Sequence, residues 1–406
     1  MPGASDVLVI GGGIVGTSTA YHLARRGASV TLLESEHISW GASGRNLGLV
    51  WMHTRRPGPE LELVWPTRRS IEEMPGELDA DFGLQTGGSL IVFDREGQAP
   101  VFEEFVRARQ GLGLDVRLIS GDDARAMMPM LPDSVIGASY CANDAQIDPG
   151  RYAPAYSRAA RRLGVTIREG VRVDRLEAAD GRIAGALTTD GLVQAGTVVL
   201  AAGVWSPALA ATIGVELPIR PMRLQVIRTE PLPEHRLGHI YYGAIAVKQY
   251  TIFKQLPSFR AELFANELEE RHGLPLLESA SQHEDGSFLL GLPMDYPGMD
   301  QSVTLDGLAL TAGRFTDALP ALRGARFART WAGLLPYTAD NLPIIGPVSS
   351  VAGLYVAAGH VFGNAAGPTT GRLIADLVTG QSPVIDPTPV RFDRPGLASS
   401  EEVSTW

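Results

Sequence analysis

Cysteine is the scarcest residue here: one, Cys141, in a chain of 406. That excludes an intramolecular disulfide and any cysteine-built metal centre, and it suits a reducing compartment. Long apolar runs are missing too. Val7–Ile10 is too short for a signal-peptide core and leads straight into glycines. No stretch approaches the roughly 20 apolar residues of a membrane span. Positive charge is in short supply, 35 Lys and Arg against 45 Asp and Glu, so the net charge of -10 repels nucleic acid and anionic lipid. The pairs Arg55-Arg56, Arg68-Arg69 and Arg161-Arg162 read as solvated faces. No internal repeat or low-complexity segment is present. What remains, 45% hydrophobic and 20% charged, is ordinary for a globular chain, long enough for two domains or slightly more. A cytoplasmic enzyme is expected.

Val7–Ile10 is a short apolar run with the character of a buried parallel strand. Ile14 to Arg26 has helical spacing and stops at Gly27, and Ser29–Glu34 reads as a second buried strand. Strand, glycine turn, helix and strand in this order make a βαβ unit. Its turn is Gly11-Gly12-Gly13-Ile14-Val15-Gly16, a G-x-G-x-x-G. Gly11 permits the tight turn, Gly13 lets backbone approach a pyrophosphate, and Gly16 lets helix and strand pack closely. The first helical turn, with Ile14 and Val15, offers N–H groups and partial positive charge to phosphates. Glu34, followed by Ser35, ends the second strand where a carboxylate can accept from ribose hydroxyls and would repel a 2′-phosphate. The fingerprint leaves FAD and NAD both open.

Further along, Gly88–Phe93, Val165–Arg168, Val171–Leu176, Val198–Gly203, Gln225–Thr229, Ser287–Leu292 and Leu354–Ala358 read as strands. Ser157–Leu163, the charged stretch Phe259 to His272, and Pro368–Val378 before Gly380 read as helices. Phe259–His272 is a candidate cover for a pocket, an interface, or a plain amphipathic surface helix.

The segment after the acid is Trp40-Gly41-Ala42-Ser43-Gly44-Arg45-Asn46-Leu47-Gly48. With it the chain resembles the amine- and amino-acid-oxidising flavoproteins, the family that includes glycine oxidase, sarcosine oxidase and D-amino-acid oxidase. Three more stretches carry the resemblance: Val199-Leu200-Ala201-Ala202-Gly203-Val204-Trp205-Ser206, Trp331 to Gly346 (WAGLLPYTADNLPIIG), and Gly359-His360-Val361-Phe362-Gly363-Asn364. The resemblance covers most of the chain and is weakest from about Thr251 to Asp285. It implies an α/β fold: a Rossmann-like, three-layer FAD-binding domain of discontinuous segments (1–48, 150–215 and 330–385) and a strand-rich α+β substrate domain (49–149 and 216–329). Residues 386–406 are expected to form a draped or frayed tail.

The family pattern also implies the cofactor contacts. Small residues let backbone reach FAD along Ala42–Gly48 and at Ala202, Gly203 and Trp205. Main-chain groups near Val173 meet the adenine. Gly333, Gly359, His360, Val361, Gly363 and Asn364 lie towards the flavin, where the N-terminus of the Pro368 helix stabilises charge on the reduced ring. His360 is a candidate for a redox role or for a structural histidine.

Two family positions differ. The arginine with which glycine-oxidase-like members clamp a carboxylate is Leu335 here, and the sarcosine-oxidase lysine falls at Gly363 or Asn364. Arg55, Arg56, Lys248, Lys254 and Arg260 are substitute candidates. Lys248 loosely resembles the sarcosine-oxidase lysine that assists the reaction with O2. The cysteine that tethers flavin in sarcosine oxidase falls near Gly333, so FAD is expected without a covalent bond.

The expected reaction moves a hydride equivalent from a C–H beside nitrogen to flavin N5, giving an imine that water hydrolyses. The partners are a small amine-type or amino-acid-like substrate and O2 or another electron acceptor. Alternatives are a flavin dehydrogenase of a hydroxy acid, a flavin subunit of an electron-transfer complex, and a noncatalytic NAD-binding protein. Oligomeric state is left open.

Overall fold

In the computed structural model, residues 6–397 are described. Val7–Ile10, Val30–Leu33 and Thr197–Leu200 are buried along their length except at Thr197. Strands apolar on both faces belong in the middle of a parallel sheet, and these form the centre of a six-stranded one. Its order is Ile344–Pro347, Leu354–Ala358, Thr197–Leu200, Val7–Ile10, Val30–Leu33, Thr166–Arg168. The edge strand Ile344–Pro347 alone runs antiparallel to its neighbour. The two-residue period of a strand splits the side chains between two cores. Val7, Val9 and Leu32 join the cluster of the helices Ile14–Arg25, Pro149–Arg162 and Gly363–Thr379. Leu8, Ile10 and Leu33 join Leu176, Ile183 and Ala186 of a three-stranded antiparallel sheet, Val173–Ala179, Arg182–Thr188 and Gly191–Gln194. Helices, parallel sheet and antiparallel ribbon thus make three layers. The first and last helices touch almost backbone to backbone. A Cβ on Gly371 would stand 2.4 Å from Ser18 Oγ, and that hydroxyl donates to the Gly367 carbonyl at 3.0 Å.

The second body is an eight-stranded sheet in the order Phe327–Tyr337, Arg220–Thr229, Phe288–Asp295, Leu276–Gln282, Ile240–Tyr242, Ser89–Phe93, Gly137–Cys141, Val116–Ser120. All neighbours are antiparallel except Ile240–Tyr242 beside Ser89–Phe93. Alternation again decides which side chain goes where: Tyr241, Ala280 and Leu290 pack with Phe315 of the helix Leu305–Ala318, while Tyr242, Leu277 and Leu292 turn to the opposite face. Among the described residues no helix is long and apolar enough to cross a membrane.

Several elements depart from expectation. The last helix begins at Gly363, with Pro368 inside it, and the helix ending at Arg162 begins at Pro149, with Pro154 inside it. Proline is costly in a helix interior, and here tertiary packing overrides that local penalty: both prolines' helices lie buried against Ile14–Arg25. Phe259–His272 is not one helix. A short 3-10 turn, Ala261–Phe264, is separated from the helix Glu267–His272 by Asn266, whose side chain caps the latter by accepting from the Leu268 and Glu269 amides. Trp331–Tyr337, expected with the nucleotide-binding segments, lies in a strand of the eight-stranded sheet. The tail is not frayed as far as Leu397. Arg394 is buried, pairs with Asp340 at 2.8 Å and donates to the Leu342 and Pro343 carbonyls. Residues 398–406 lie outside the described residues.

Candidate functional site

The glycine turn is held by contacts that tolerate no side chain. Gly11 has φ +113°, donates to the Leu33 carbonyl at 2.8 Å, and a Cβ there would lie 2.5 Å from the Ala201 carbonyl oxygen. At Gly16 a Cβ would lie 1.9 Å from the Gly11 carbonyl oxygen, so the helix sits on the turn itself. Gly13 faces Ser43, whose Oγ accepts from the Ile14 amide at 3.0 Å. The two glycine-rich stretches of the sequence therefore meet at the start of the first helix. Glu34 braces the turn from the next strand: Oε2 accepts from the Gly12 amide at 2.6 Å, and Oε1 from the Glu36 amide at 3.0 Å.

A cavity of about 620 Å³ opens from this turn and runs between the two sheets. One group of lining residues comes from the six-stranded layer, Gly11 to Val15, Glu34 and Ser35, and from the entry to the antiparallel ribbon, Val171 to Asp174, which includes Val173. Ala42, Ser43, Asn46, Leu47, Ala202, Gly203 and Trp205 continue the wall, and the Trp205 ring stands 5.8 Å from that of Trp40. Gly359, His360, Val361, Gly363 and Asn364 line it at the N-terminus of the last helix. That N-terminus is tied to the Ala42–Gly48 stretch, since Asn364 Nδ2 donates to Asn46 Oδ1 at 2.9 Å, and Asn46 Nδ2 donates to the Ala42 and Ser43 carbonyls.

Five of the expected cofactor contacts do not line the cavity but shape its wall. Gly16 packs on Gly11, a Cβ on Gly44 would meet the Ser39 carbonyl at 2.2 Å, and one on Gly48 the Ile147 carbonyl at 2.0 Å. Gly333 packs against Arg45. Arg45 turns away: its Nη1 donates to Gln301 Oε1 at 2.7 Å and to the Ala332 carbonyl at 3.1 Å, and its guanidinium lies over Trp40. Lys248 is a clear correction. It does not line the cavity and pairs with Glu269 in a separate surface depression, because Ala244–Gln249 is a 3-10 turn rather than a strand aimed inward. Cys141 is fully buried, does not line the cavity, and burial pushes its thiol pKa up.

The eight-stranded sheet supplies a second lining group that sequence reasoning largely missed. Leu224, Tyr242, Leu277, Leu292 and Leu335 face the cavity from five strands, joined by Leu49, Trp51, Tyr250 and Phe362. Trp51 stacks on Tyr242 with centroids 4.0 Å apart. No local signal marks these residues, because each comes from a different segment. Arg55, read both as half of a solvated pair and as one of five substitute anchor candidates, is 3% exposed and lines this apolar region. The tyrosines and the histidine here are held uncharged. Burial pushes the phenols of Tyr242 and Tyr250 up, and burial drops His360 to about 3. His360 Nε2 is 2.9 Å from Thr370 Oγ1 on the last helix.

The model of FAD dependent oxidoreductases matches residues 6–377. The chain belongs to this family. It is an enzyme whose cofactor is FAD. Glycine oxidase of Pseudomonas putida is 28% identical over 95% of this chain and 98% of its own length. The hydrogen cyanide synthase subunit HcnC of Pseudomonas aeruginosa is 25% identical, covering 95% of this chain and 94% of that protein. In three dimensions, glycine oxidase from Geobacillus kaustophilus superimposes with a TM-score of 0.82 at 24% identity, over 96% of this chain and 99% of that one. The flavoprotein's glycine turn also fits the cofactor on geometry alone, since Gly11 and Gly13 leave backbone bare where any larger residue would intrude.

Proposed function

We propose that this flavoprotein oxidises a C–N bond of a small amine or amino-acid-like substrate held in the apolar part of the cavity. FAD would be held by the glycine turn and helix start from Gly11 to Val15, by Glu34 and Ser35, by Ala42, Ser43, Asn46 and Leu47, and by Val173, Ala202, Gly203 and Trp205. The six-stranded and antiparallel layers would then form the cofactor domain and the eight-stranded sheet the substrate domain. Bound FAD supplies a two-electron acceptor, so that a C–H beside nitrogen becomes an imine, which water hydrolyses to a carbonyl compound and an amine.

One observation favours an amine over an alcohol. Oxidising a hydroxy acid needs a base for the hydroxyl proton, and the groups facing the apolar part provide none. Tyr242 and Tyr250 keep their protons, and His360, at about 3, is too weak a base. A neutral amine needs no such base. The remaining tasks are positioning and exclusion of water, which the Trp51–Tyr242 stack and the leucines perform. The N-terminus of Gly363–Thr379 at the cavity wall favours negative charge there.

The test is anaerobic absorbance of the purified holoenzyme during addition of primary, secondary and N-methylated amines and amino acids. Bleaching by one amine series, with a rate that rises with pH as the amine loses its proton, supports the reading. Bleaching only by hydroxy acids refutes it. Admitting air identifies the electron acceptor: prompt recovery of colour means O2, and persistent bleaching means another acceptor.

A further inference from the structure

Behind the cavity wall stands a carboxylate that no substrate reaches. Glu278 is fully buried and does not line the cavity, although its neighbour Leu277 does. The two-residue period of the strand sends Glu278 to the opposite face of the eight-stranded sheet, where Tyr241 and the helix Leu305–Ala318 lie. There Tyr241 Oη donates to Glu278 Oε1 at 2.7 Å, and Arg314 Nε of that helix lies 2.9 Å from Oε2. A buried ion pair often adds no stability over well-packed apolar residues of the same volume. What it supplies is direction, since its hydrogen bond and its charge admit few placements of the elements they join.

The same carboxylate governs how the chain leaves the sheet. The Gly243 amide donates to the Glu278 carbonyl at 3.1 Å, and a Cβ on Gly243 would stand 2.0 Å from the Glu278 carboxyl carbon. Gly243 has φ -84° and ψ 157°, which any residue adopts, so the carboxylate and not the backbone requires glycine here. From Gly243 the 3-10 turn Ala244–Gln249 carries the chain to Tyr250. Tyr242 and Tyr250 thus flank the turn, and both line the cavity. Their ring centroids are 6.5 Å apart and their hydroxyls are hydrogen-bonded.

We propose that Glu278 is a positioning residue of the oxidation: from the far face of the sheet it sets where Tyr242 and Tyr250 stand, and so how the substrate fits. It touches neither substrate nor cofactor. Tyr241 and Arg314 hold the carboxylate, the carboxylate holds Gly243, and Gly243 holds the two tyrosines at the ends of the turn. Without the carboxylate, Gly243 relaxes into the vacated space and the tyrosine pair shifts with it. The loss falls on substrate binding, because the glycine turn and the other cofactor-side residues belong to separate elements.

This inference rests on the amine-oxidising reading, but one arm of its test does not. That arm is near-ultraviolet circular dichroism of the holoenzyme, taken as the difference between each protein and its Trp51→Phe counterpart. The difference isolates the ring stacked on Tyr242. Glu278→Ala should lose at least about half of this signal while FAD content stays within about 2-fold of wild type. Glu278→Gln, whose amide keeps an acceptor for Tyr241 and the same bulk beside Gly243, should keep most of it. The second arm uses the amine or amino acid that bleaches wild type fastest. Glu278→Ala should raise KM at least about 10-fold with the limiting rate of flavin reduction within about 3-fold, and Glu278→Gln should bring KM back to within about 3-fold of wild type. Tyr241→Phe, which removes one hydrogen bond and little volume, should raise KM about 3-fold. A Glu278→Ala enzyme with unchanged Trp51 signal and KM, and only a lower urea midpoint, overturns the proposal. So does a reduction rate that falls while KM holds. Should Glu278→Ala not fold, an unchanged KM in Tyr241→Phe overturns it instead. If no amine bleaches wild type, the proposed function fails, and the dichroism arm still decides whether Glu278 holds the cavity wall.

Discussion

Removing the Asp144 side chain should cripple the Arg55 turn, and the structure says by how much. Asp144 Oδ1 accepts the Met52 and His53 amides, and Oδ2 accepts the Ser89 hydroxyl. That hydroxyl hydrogen is then committed, so His53 Nδ1, 3.0 Å from Ser89 Oγ, carries its own hydrogen, and Nε2 accepts from Ser139 at 2.8 Å. In Asp144→Ala the Ser89 hydroxyl can turn to His53, but two buried amides stay unpaired at about 1–3 kcal/mol each. The expected loss is therefore about 2–6 kcal/mol, a large share of the ~5–15 kcal/mol that holds a typical domain. Asp144→Asn keeps Oδ1 for both amides and can donate from Nδ2 to Ser89, with the His53 tautomer reversing, so it should stay within about 1 kcal/mol at pH 7.5. The charge adds a pH signature. Burial raises the Asp144 pKa from 3.8 to about 6, so the folded state binds the proton more tightly than the unfolded chain. Wild type should therefore gain stability over Asp144→Asn as pH falls below 6, by about 1 kcal/mol at pH 5, and lose that advantage above pH 6. Urea unfolding of the holoenzyme at both pH values, followed by circular dichroism, reads these differences. An alanine variant within about 0.5 kcal/mol of wild type, or an asparagine variant equally damaged, would refute this account of the network.

Gly16→Ala should expel FAD: the new Cβ starts 1.9 Å from the Gly11 oxygen, where ordinary contact begins near 3.4 Å. Overpacking of about 1–3 kcal/mol should fall on the cofactor turn and weaken FAD at least about 10-fold, measured from the ratio of 450 to 280 nm absorbance after gel filtration. Lys248→Met should leave flavin reduction and reoxidation rates within about 2-fold of wild type, since the partly exposed Lys248–Glu269 pair stands apart from the cavity; stopped-flow kinetics showing a larger drop would restore the lysine to the site. His360, held neutral at about 3 by burial, should contribute no limb to the pH profile of flavin reduction between pH 5 and 9, and His360→Gln should keep the profile's shape; a lost limb would return a proton-transfer role to this histidine.

The cofactor end of this enzyme can be read from chain order because its determinants are local. A strand, a glycine turn, a helix and an acid within about thirty residues must fold into one unit, and backbone that approaches a pyrophosphate tolerates only small residues. The Cβ positions barred at Gly11, Gly13 and Gly16 are the physical form of that pattern. Local rules failed where long-range packing outweighed them. Pro154 and Pro368 lie inside helices because the buried contacts of those helices outweigh the missing hydrogen bonds. The substrate end left little mark on the sequence beyond Arg55's place among five candidate anchors, only one of which lines the cavity. Tyr242 faces the cavity and Tyr241 the opposite core only because of strand register, and a shift of one residue would exchange them. Arg55 and Arg56 are adjacent and chemically alike, yet Arg55 is buried with unmet donors while Arg56 holds Glu60. Which arginine lines the cavity depends on where a turn pinned by Asp144, ninety-odd residues along the chain, settles against a leucine-lined sheet. That is a property of side-chain direction in the assembled fold, which composition and spacing do not carry.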